Sequence, residues 1–386
     1  MVIFFISIFP IKAFGEEKIS NDGVELAKGA RSAIMIEAST GQILYEKNKD
    51  EKLAMASMTK MMTLLLIMEE IEKGNLKWDE MVMASDYAAS MGGSQIFLEP
   101  GEKMSVEDLV KGICIASGND ASVAMAERIG GTEENFVRMM NDKAKALGLS
   151  NTHFENACGL DHENHYSSAY DMSVIARELV SHERILKYTG TYEDYLRKNT
   201  DNSFWLVNTN RLVRYYQGVD GLKTGYTKNA LYCITTTAKR GEMRLITVVM
   251  GEESSSIRNQ ETTSMLDYGF SQYSIERVID KKAVLGRKNV FLGKEKNVEI
   301  VPVKDYDVLK KKSDGEIGLD YQVSFYQIKA PVKVGDVVGK ISILSNGKVI
   351  DTIDATVGKS ILKKNIIQAY FEEFISLVKG DGSLGG

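Results

Sequence analysis

The chain has little of four things, and each shortage excludes a class of protein. It holds 3 cysteines in 386 residues, Cys114, Cys158 and Cys233, far apart and without C-x-x-C spacing. That excludes a disulfide framework and a structural zinc site and leaves three small core residues. It holds only 4 prolines, with 44% hydrophobic and 26% charged residues, which excludes collagen-like repetition and wholesale disorder. Basic residues are not in excess: 48 Lys and Arg against 53 Asp and Glu give a net charge of −5, which argues against nucleic acid as a partner. Beyond the N-terminus, no run approaches the roughly 18 apolar residues that a membrane-spanning helix needs.

What the chain does have is length, which exceeds the roughly 250–300 residues at which one core stops growing, so two folded units are expected. The first nine residues, MVIFFISIF, are apolar and uncharged, and a short KAFG stretch then leads into Glu16 and Glu17. Residues 1–15 read as the apolar core and cleavage region of an export signal, without the usual positive start. Residues 33–38, a Ser39-Thr40-Gly41 turn and residues 42–46 read as a β-hairpin. Helical patterns follow. One opens at Ser57 and stops at Gly74, Ser105 and Asp108 have capping-box spacing before a helix over 109–115, another runs over 121–129, and Thr132 precedes one over 133–147 closed by Gly148. Residues 232–237 and 245–250 return to strand. Strands on both sides of a helical middle predict an α/β (α+β) unit over residues 24–273, one sheet with helices packed on it. Residues 277–361 carry short alternating segments (298–301, 332–334, 340–344) between Gly and Asn turns, the pattern of a small all-β domain. Residues 362–379 place Ile366, Ile367, Tyr370, Phe371, Phe374, Leu377 and Val378 at helical spacing, and 380–386 form a glycine-rich, flexible tail.

The candidate chemistry starts at Ser57-Met58-Thr59-Lys60, at the head of the most apolar helical pattern. Three residues along a helix put two side chains on one face, so the Lys60 amine can reach the Ser57 hydroxyl. Burial disfavours the ammonium and makes Lys60 a proton acceptor near neutral pH. Ser117-Gly118-Asn119 follows an apolar run in a loop between buried helices, where a hydroxyl and an amide can relay a proton and hold a carbonyl. Lys223-Thr224-Gly225, read as lying just before a strand, offers a cation, a hydroxyl and a bare backbone to an extended peptide along a sheet edge. Each alone is weak: Ser57 could be a helix cap, and the other two could be turns.

Together, in this order, they resemble the S-x-x-K, S-x-N and K-T-G signatures of penicillin-binding proteins and serine β-lactamases. Residues 32–41 (SAIMIEASTG), 91–98 (MGGSQIFL), 116–121 (ASGNDA) and 219–227 (VDGLKTGYT) are similar to the low-molecular-weight D-alanyl-D-alanine carboxypeptidases, serine peptidase family S11. Residues 190–197 and 205–210 look most like its sporulation-associated, DacF-type members. The resemblance implies a serine β-lactamase/transpeptidase-like catalytic domain. Ser57 would be the nucleophile and Lys60 its base; Ser117 would pass a proton to the leaving amine, and Asn119 would orient Lys60 and the substrate amide. Lys223 and Thr224 would meet the terminal carboxylate, Gly225 would open the strand edge, and the Ser57 and Tyr226 N–H groups would form the oxyanion hole. It implies no metal and no cofactor. The implied partners are the peptidoglycan stem peptide ending in D-Ala-D-Ala, β-lactam antibiotics and a membrane surface met by the C-terminal helix, on the extracytoplasmic face of the cell membrane.

Arg211 or Arg214 is a second carboxylate contact or an exposed arginine. Leu231 stands where many family members carry glycine, and either narrows the cleft or faces the core. His153, His162 and His165 lack a carboxylate signature for zinc and read as a loop beside the site. Two competing functions share features with this reading. A serine β-lactamase shares all three motifs, but the E-x-x-L-N context of class A deacylation is missing, and a non-catalytic peptidoglycan-binding scaffold would not be expected to keep the nucleophile.

Overall fold

In a computed structural model, the residues described are 23–314, 318–345 and 347–365. The expected export segment, residues 366–379 of the amphipathic stretch and the tail lie outside them. The chain divides between Tyr273 and Ser274 into two units.

Five strands build the sheet of the first unit. β1 (Ser32–Glu37) and β2 (Ile43–Lys47) form the expected hairpin, and β3 (Val219–Thr227), β4 (Leu231–Arg240) and β5 (Met243–Glu252) come after the helical middle. Their order is β2-β1-β5-β4-β3, antiparallel throughout, so β3 lies at an edge. β1 is buried along its whole length, as a strand covered on both faces must be. The helix Ser255–Gln272 packs on this sheet through Gly269, where a Cβ would come within 2.6 Å of Leu245 Cδ1 and 2.9 Å of Met35 Sδ. The helix Lys60–Glu72 is buried on every side from Lys60 to Met68, which is why its sequence is apolar all round rather than striped.

Caps fall where the sequence signals them. Ser105 Oγ accepts from Asp108 N–H at 3.1 Å, and Thr132 Oγ1 accepts from Asn135 N–H at 3.1 Å. Three local expectations are corrected. The helix expected over 109–115 is an α-helix, Val106–Lys111, followed by a π-turn, Gly112–Ala116. Ser57 does not open an α-helix: it sits in the 3-10 turn Ala56–Thr59, and the α-helix begins at Lys60. Lys223-Thr224-Gly225 lies inside β3 rather than before a strand, since an edge strand tolerates the glycines that made the stretch look like a turn.

The second unit is all β among its described residues, apart from a single 3-10 turn. Its main sheet runs in the order Leu319–Phe325, Gly339–Ser345, Lys348–Val357, Asn297–Pro302, Gly286–Phe291, Ile328–Lys329 around a core that includes Ile300, Ile341, Ile343, Ala355 and Val357. Residues 332–334 are not a strand, because only Val332 bridges, to Ile361. No described helix is long and apolar enough to cross a membrane.

Candidate active site

The turn that carries Ser57 is wedged between two glycines. Gly225 on β3 lies so close that a Cβ there would be 2.8 Å from Met55 O and 3.2 Å from Ser57 N. On another side Gly159, at φ +92, leaves room only for hydrogen: a Cβ would be 2.0 Å from Ala56 O and 2.9 Å from Ser57 N. Both contacts are with backbone, so any side chain at either glycine must displace the serine's own amide.

Lys60 is fully buried, and its Nζ has three neighbours: Ser57 Oγ at 2.9 Å, Asn119 Oδ1 at 2.6 Å and Cys158 O at 2.6 Å. Two of the three are carbonyl oxygens, which can only accept. They therefore take two N–H bonds in either charge state, and a neutral amine is left with its lone pair toward the Ser57 hydroxyl. Burial brings its pKa down from 10.5 to about 8, against the smaller opposing effects of Cys158 and Asp120. The Cys158 carbonyl is aimed by Asn156, whose Oδ1 accepts from the N–H groups of Cys158, Gly159 and Leu160.

Asn119, the first residue of the helix Asn119–Gly130, also donates through Nδ2 to Gly92 O at 2.7 Å. The next residue, buried Asp120, accepts from the N–H groups of Ile96 and Leu98 and so holds the 91–98 loop in place. Ser117 closes the π-turn at φ +64; it is buried, and its hydroxyl has no hydrogen-bond partner among the described residues.

On β3, Lys223 is buried and donates to Thr224 O at 3.1 Å, and burial, with Lys60 next, lowers its pKa well below the usual lysine value. Thr224 Oγ1 donates to Thr209 Oγ1 at 2.8 Å. Tyr226 is exposed, and its ring lies tilted against that of Tyr232, with centroids 4.4 Å apart. Arg211 and Arg214 are exposed, and both guanidiniums lie over the Tyr192 ring. Leu231 is half-buried at φ +55, a left-handed conformation that accounts for a glycine preference at this position. The three cysteines are free and buried, and burial pushes the Cys114 thiol up to about 12. Among the described residues, no group of three or more His, Cys, Asp and Glu side chains could hold a metal ion.

The structure therefore brings Ser57, Lys60 and Asn119 into one hydrogen-bonded cluster, with Gly225 pressed against the Ser57 turn. Sequence reasoning missed Asn156, Cys158 as a carbonyl, Gly159 and Thr209, and read His165 only as part of a loop beside the site. Only Asn156 left a signal, an asparagine three residues before a glycine.

An edge strand bearing K-T-G, set against a serine with a buried lysine one turn away, defines the penicillin-binding, transpeptidase-like fold. The comparisons with known proteins agree. The peptidase S11 profile, described as D-alanyl-D-alanine carboxypeptidase, matches residues 19–254, and that of the penicillin-binding protein 5 C-terminal domain matches 273–363. The chain belongs to the D-alanyl-D-alanine carboxypeptidase family. It is 49% identical over 358 residues to the D-alanyl-D-alanine carboxypeptidase DacF of Bacillus subtilis, covering 92% of this chain and 91% of that one. It is 33% identical to DacC of Escherichia coli, covering 90% and 87%. Among solved structures, penicillin binding protein 5 from Haemophilus influenzae superposes with a TM-score of 0.69 at 30% identity, covering 87% of this chain and 98% of that one. Penicillin-binding protein D2 from Listeria monocytogenes, in an ampicillin-bound form, gives 0.54 at 32% identity, covering 63% and 98%.

Proposed function

We propose that Ser57 is the nucleophile of a carboxypeptidase that removes the terminal D-alanine from peptidoglycan stem peptides ending in D-Ala-D-Ala. The observation that carries this is the Lys60 environment: two carbonyl acceptors fix the amine so that its lone pair meets the Ser57 hydroxyl. Lys60 takes the Ser57 proton as Oγ bonds to the penultimate carbonyl carbon. The oxyanion lies between the N–H groups of Ser57 and Tyr226. Ser117 delivers a proton to the leaving nitrogen as the C–N bond breaks and takes one back from Lys60, so free D-alanine departs and the lysine is a neutral amine again. Water then hydrolyses the ester, with the same lysine as base. Lys223 and Thr224 meet the terminal carboxylate, a cation and a hydroxyl for an anion.

A β-lactam presents a cyclic amide with a carboxylate at comparable spacing and so acylates Ser57, but its leaving nitrogen stays tethered. We further propose that the chemistry belongs to residues 24–273, with 277–361 as the β-rich domain. The apolar N-terminal run supports export. The aromatic and aliphatic stripe of 366–378 supports attachment to the outer face of the cell membrane. The test is a peptide ending in D-Ala-D-Ala, assayed for released D-alanine with wild type and Ser57→Ala, beside a β-lactam assayed for turnover. Release lost in Ser57→Ala, with a long-lived penicillin adduct, supports the carboxypeptidase. Rapid penicillin turnover would favour a β-lactamase, and neither signal would favour a non-catalytic scaffold.

A further inference from the structure

Ala56, the residue before the nucleophile, is held at φ +48, in the left-handed region that residues with a Cβ seldom occupy. Something must hold it there. Its carbonyl accepts from Thr59 Oγ1 at 2.8 Å, and the same Oγ1 lies 2.7 Å from His165 Nε2. His165 Nδ1 accepts from the Glu155 N–H at 2.9 Å, so that nitrogen carries no proton. The ring proton is therefore on Nε2, where it donates to Thr59 Oγ1, and the threonine's own proton is free for the Ala56 carbonyl. Only one direction satisfies every group: Glu155 N–H to His165, His165 to Thr59, Thr59 to Ala56 O. Thr59 and His165 are both buried, so no water stands in for either bond.

We infer that His165, acting through Thr59, is a positioning residue that fixes the backbone immediately before Ser57 and hence the direction of the Ser57 N–H. This rests on the reading of Ser57 as nucleophile. The two glycines confine the turn sterically, but a wedge limits position without setting rotation about the peptide; the hydrogen bond to the Ala56 carbonyl sets the rotation. The groups facing the ring suit a neutral imidazole: Lys60, His153 and His162 all oppose a positive charge there, and the edge of Phe154 packs against it. Glu155 carries its carboxylate toward His153 and His162, at 3.5 Å and 3.9 Å. Burial, with these neighbours, lowers the His165 pKa to about 4. Protonation would put a second N–H against the Glu155 N–H and break the chain at its source.

The test measures the acylation rate with a fluorescent penicillin for wild type, His165→Ala, His165→Gln, Thr59→Val and the double variant His165→Ala/Thr59→Val, with a thermal melt of each. A loss on the order of ten- to a hundredfold is expected for His165→Ala and for Thr59→Val, the scale of a misplaced reacting group. The double variant should lose no more than either single one, because both act through one bond. His165→Gln, which can accept from the Glu155 N–H and donate to Thr59, should recover most of the rate. Should His165→Ala fail to fold, Thr59→Val and His165→Gln carry the same comparison. Folded Thr59→Val and His165→Ala proteins acylated at the wild-type rate would overturn the inference. An unlabelled wild type would instead overturn the reading of Ser57. A readout independent of activity is the His165 tautomer by long-range 1H–15N NMR at pH 7: a proton on Nε2 supports the relay, and one on Nδ1 overturns it.

Discussion

The most demanding prediction concerns the pH dependence of acylation. A lysine at its ordinary pKa of 10.5 would cost about 4.8 kcal/mol to neutralise at pH 7, whereas one at about 8 costs about 1.4 kcal/mol. Burial of Lys60 therefore supplies about 3 kcal/mol, or roughly a three-hundredfold gain in the fraction present as free base. The amine is neutral in about 1% of molecules at pH 6 and in half of them at pH 8, so kcat/KM should rise about fiftyfold over that interval and level off above pH 9. The assay is the second-order rate of acylation by a chromogenic or fluorescent β-lactam from pH 6 to 9.5. Lys223 is the competing source of such a limb, because its pKa is lowered as well. The variant Lys223→Arg separates the two: its rate falls, but the limb stays in place if Lys60 titrates. A flat profile, or a rise that begins only above pH 9.5, would refute the reasoning that burial makes Lys60 the base.

Three further outcomes are expected. Gly225→Ala should cut acylation at least on the order of a hundredfold while the protein stays folded, because its Cβ meets the backbone of Met55 and Ser57 rather than a movable side chain; steady-state acylation beside circular dichroism checks this. At Leu231, with φ +55, the Gly variant should be more stable than the Ala variant by about 1 kcal/mol, since both lose the side chain but only Ala keeps the left-handed strain; denaturant midpoints decide it. Glu252 is fully buried, and burial, then Glu261, raises its carboxyl pKa to about 8. The folded state thus keeps a proton that the unfolded chain releases above about 4.5, and stability is lost as pH rises from there to about 8. Glu252→Gln should therefore melt higher than wild type at pH 8 and lose that advantage at pH 4; parallel melting curves across this range would contradict it.

The parts of the site that were legible in the sequence are those where a side chain's identity is the function. Ser57, Lys60 and Asn119, which the structure brings into one cluster, could be picked out because a hydroxyl, an amine or an amide at fixed spacing states its own chemistry. The Cys158 contribution was hidden because a carbonyl belongs to every residue, and only the fold of the 156–160 loop aims this one at Lys60. His165 was read as part of a loop beside the site: its sequence neighbours His162 and His153 suggest a shared role, while its partner Thr59 lies 106 residues away. K-T-G was placed ahead of a strand because two glycines in seven residues look like a turn, although at an edge they serve close approach. The sheet itself was legible from β-branched runs, and the split of the 109–115 helix was not, since Gly112-Ile-Cys-Ile-Ala carries no signal for a π-turn.

The central claim is that Ser57 forms the acyl-enzyme. Its most direct test is the intact mass of the protein after incubation with a penicillin, followed by proteolysis and sequencing of the modified peptide by mass spectrometry. One adduct per chain is expected, on Ser57, absent from Ser57→Ala and persisting for many minutes after free penicillin is removed. An adduct on any other residue, or none in the folded wild-type protein, would contradict it.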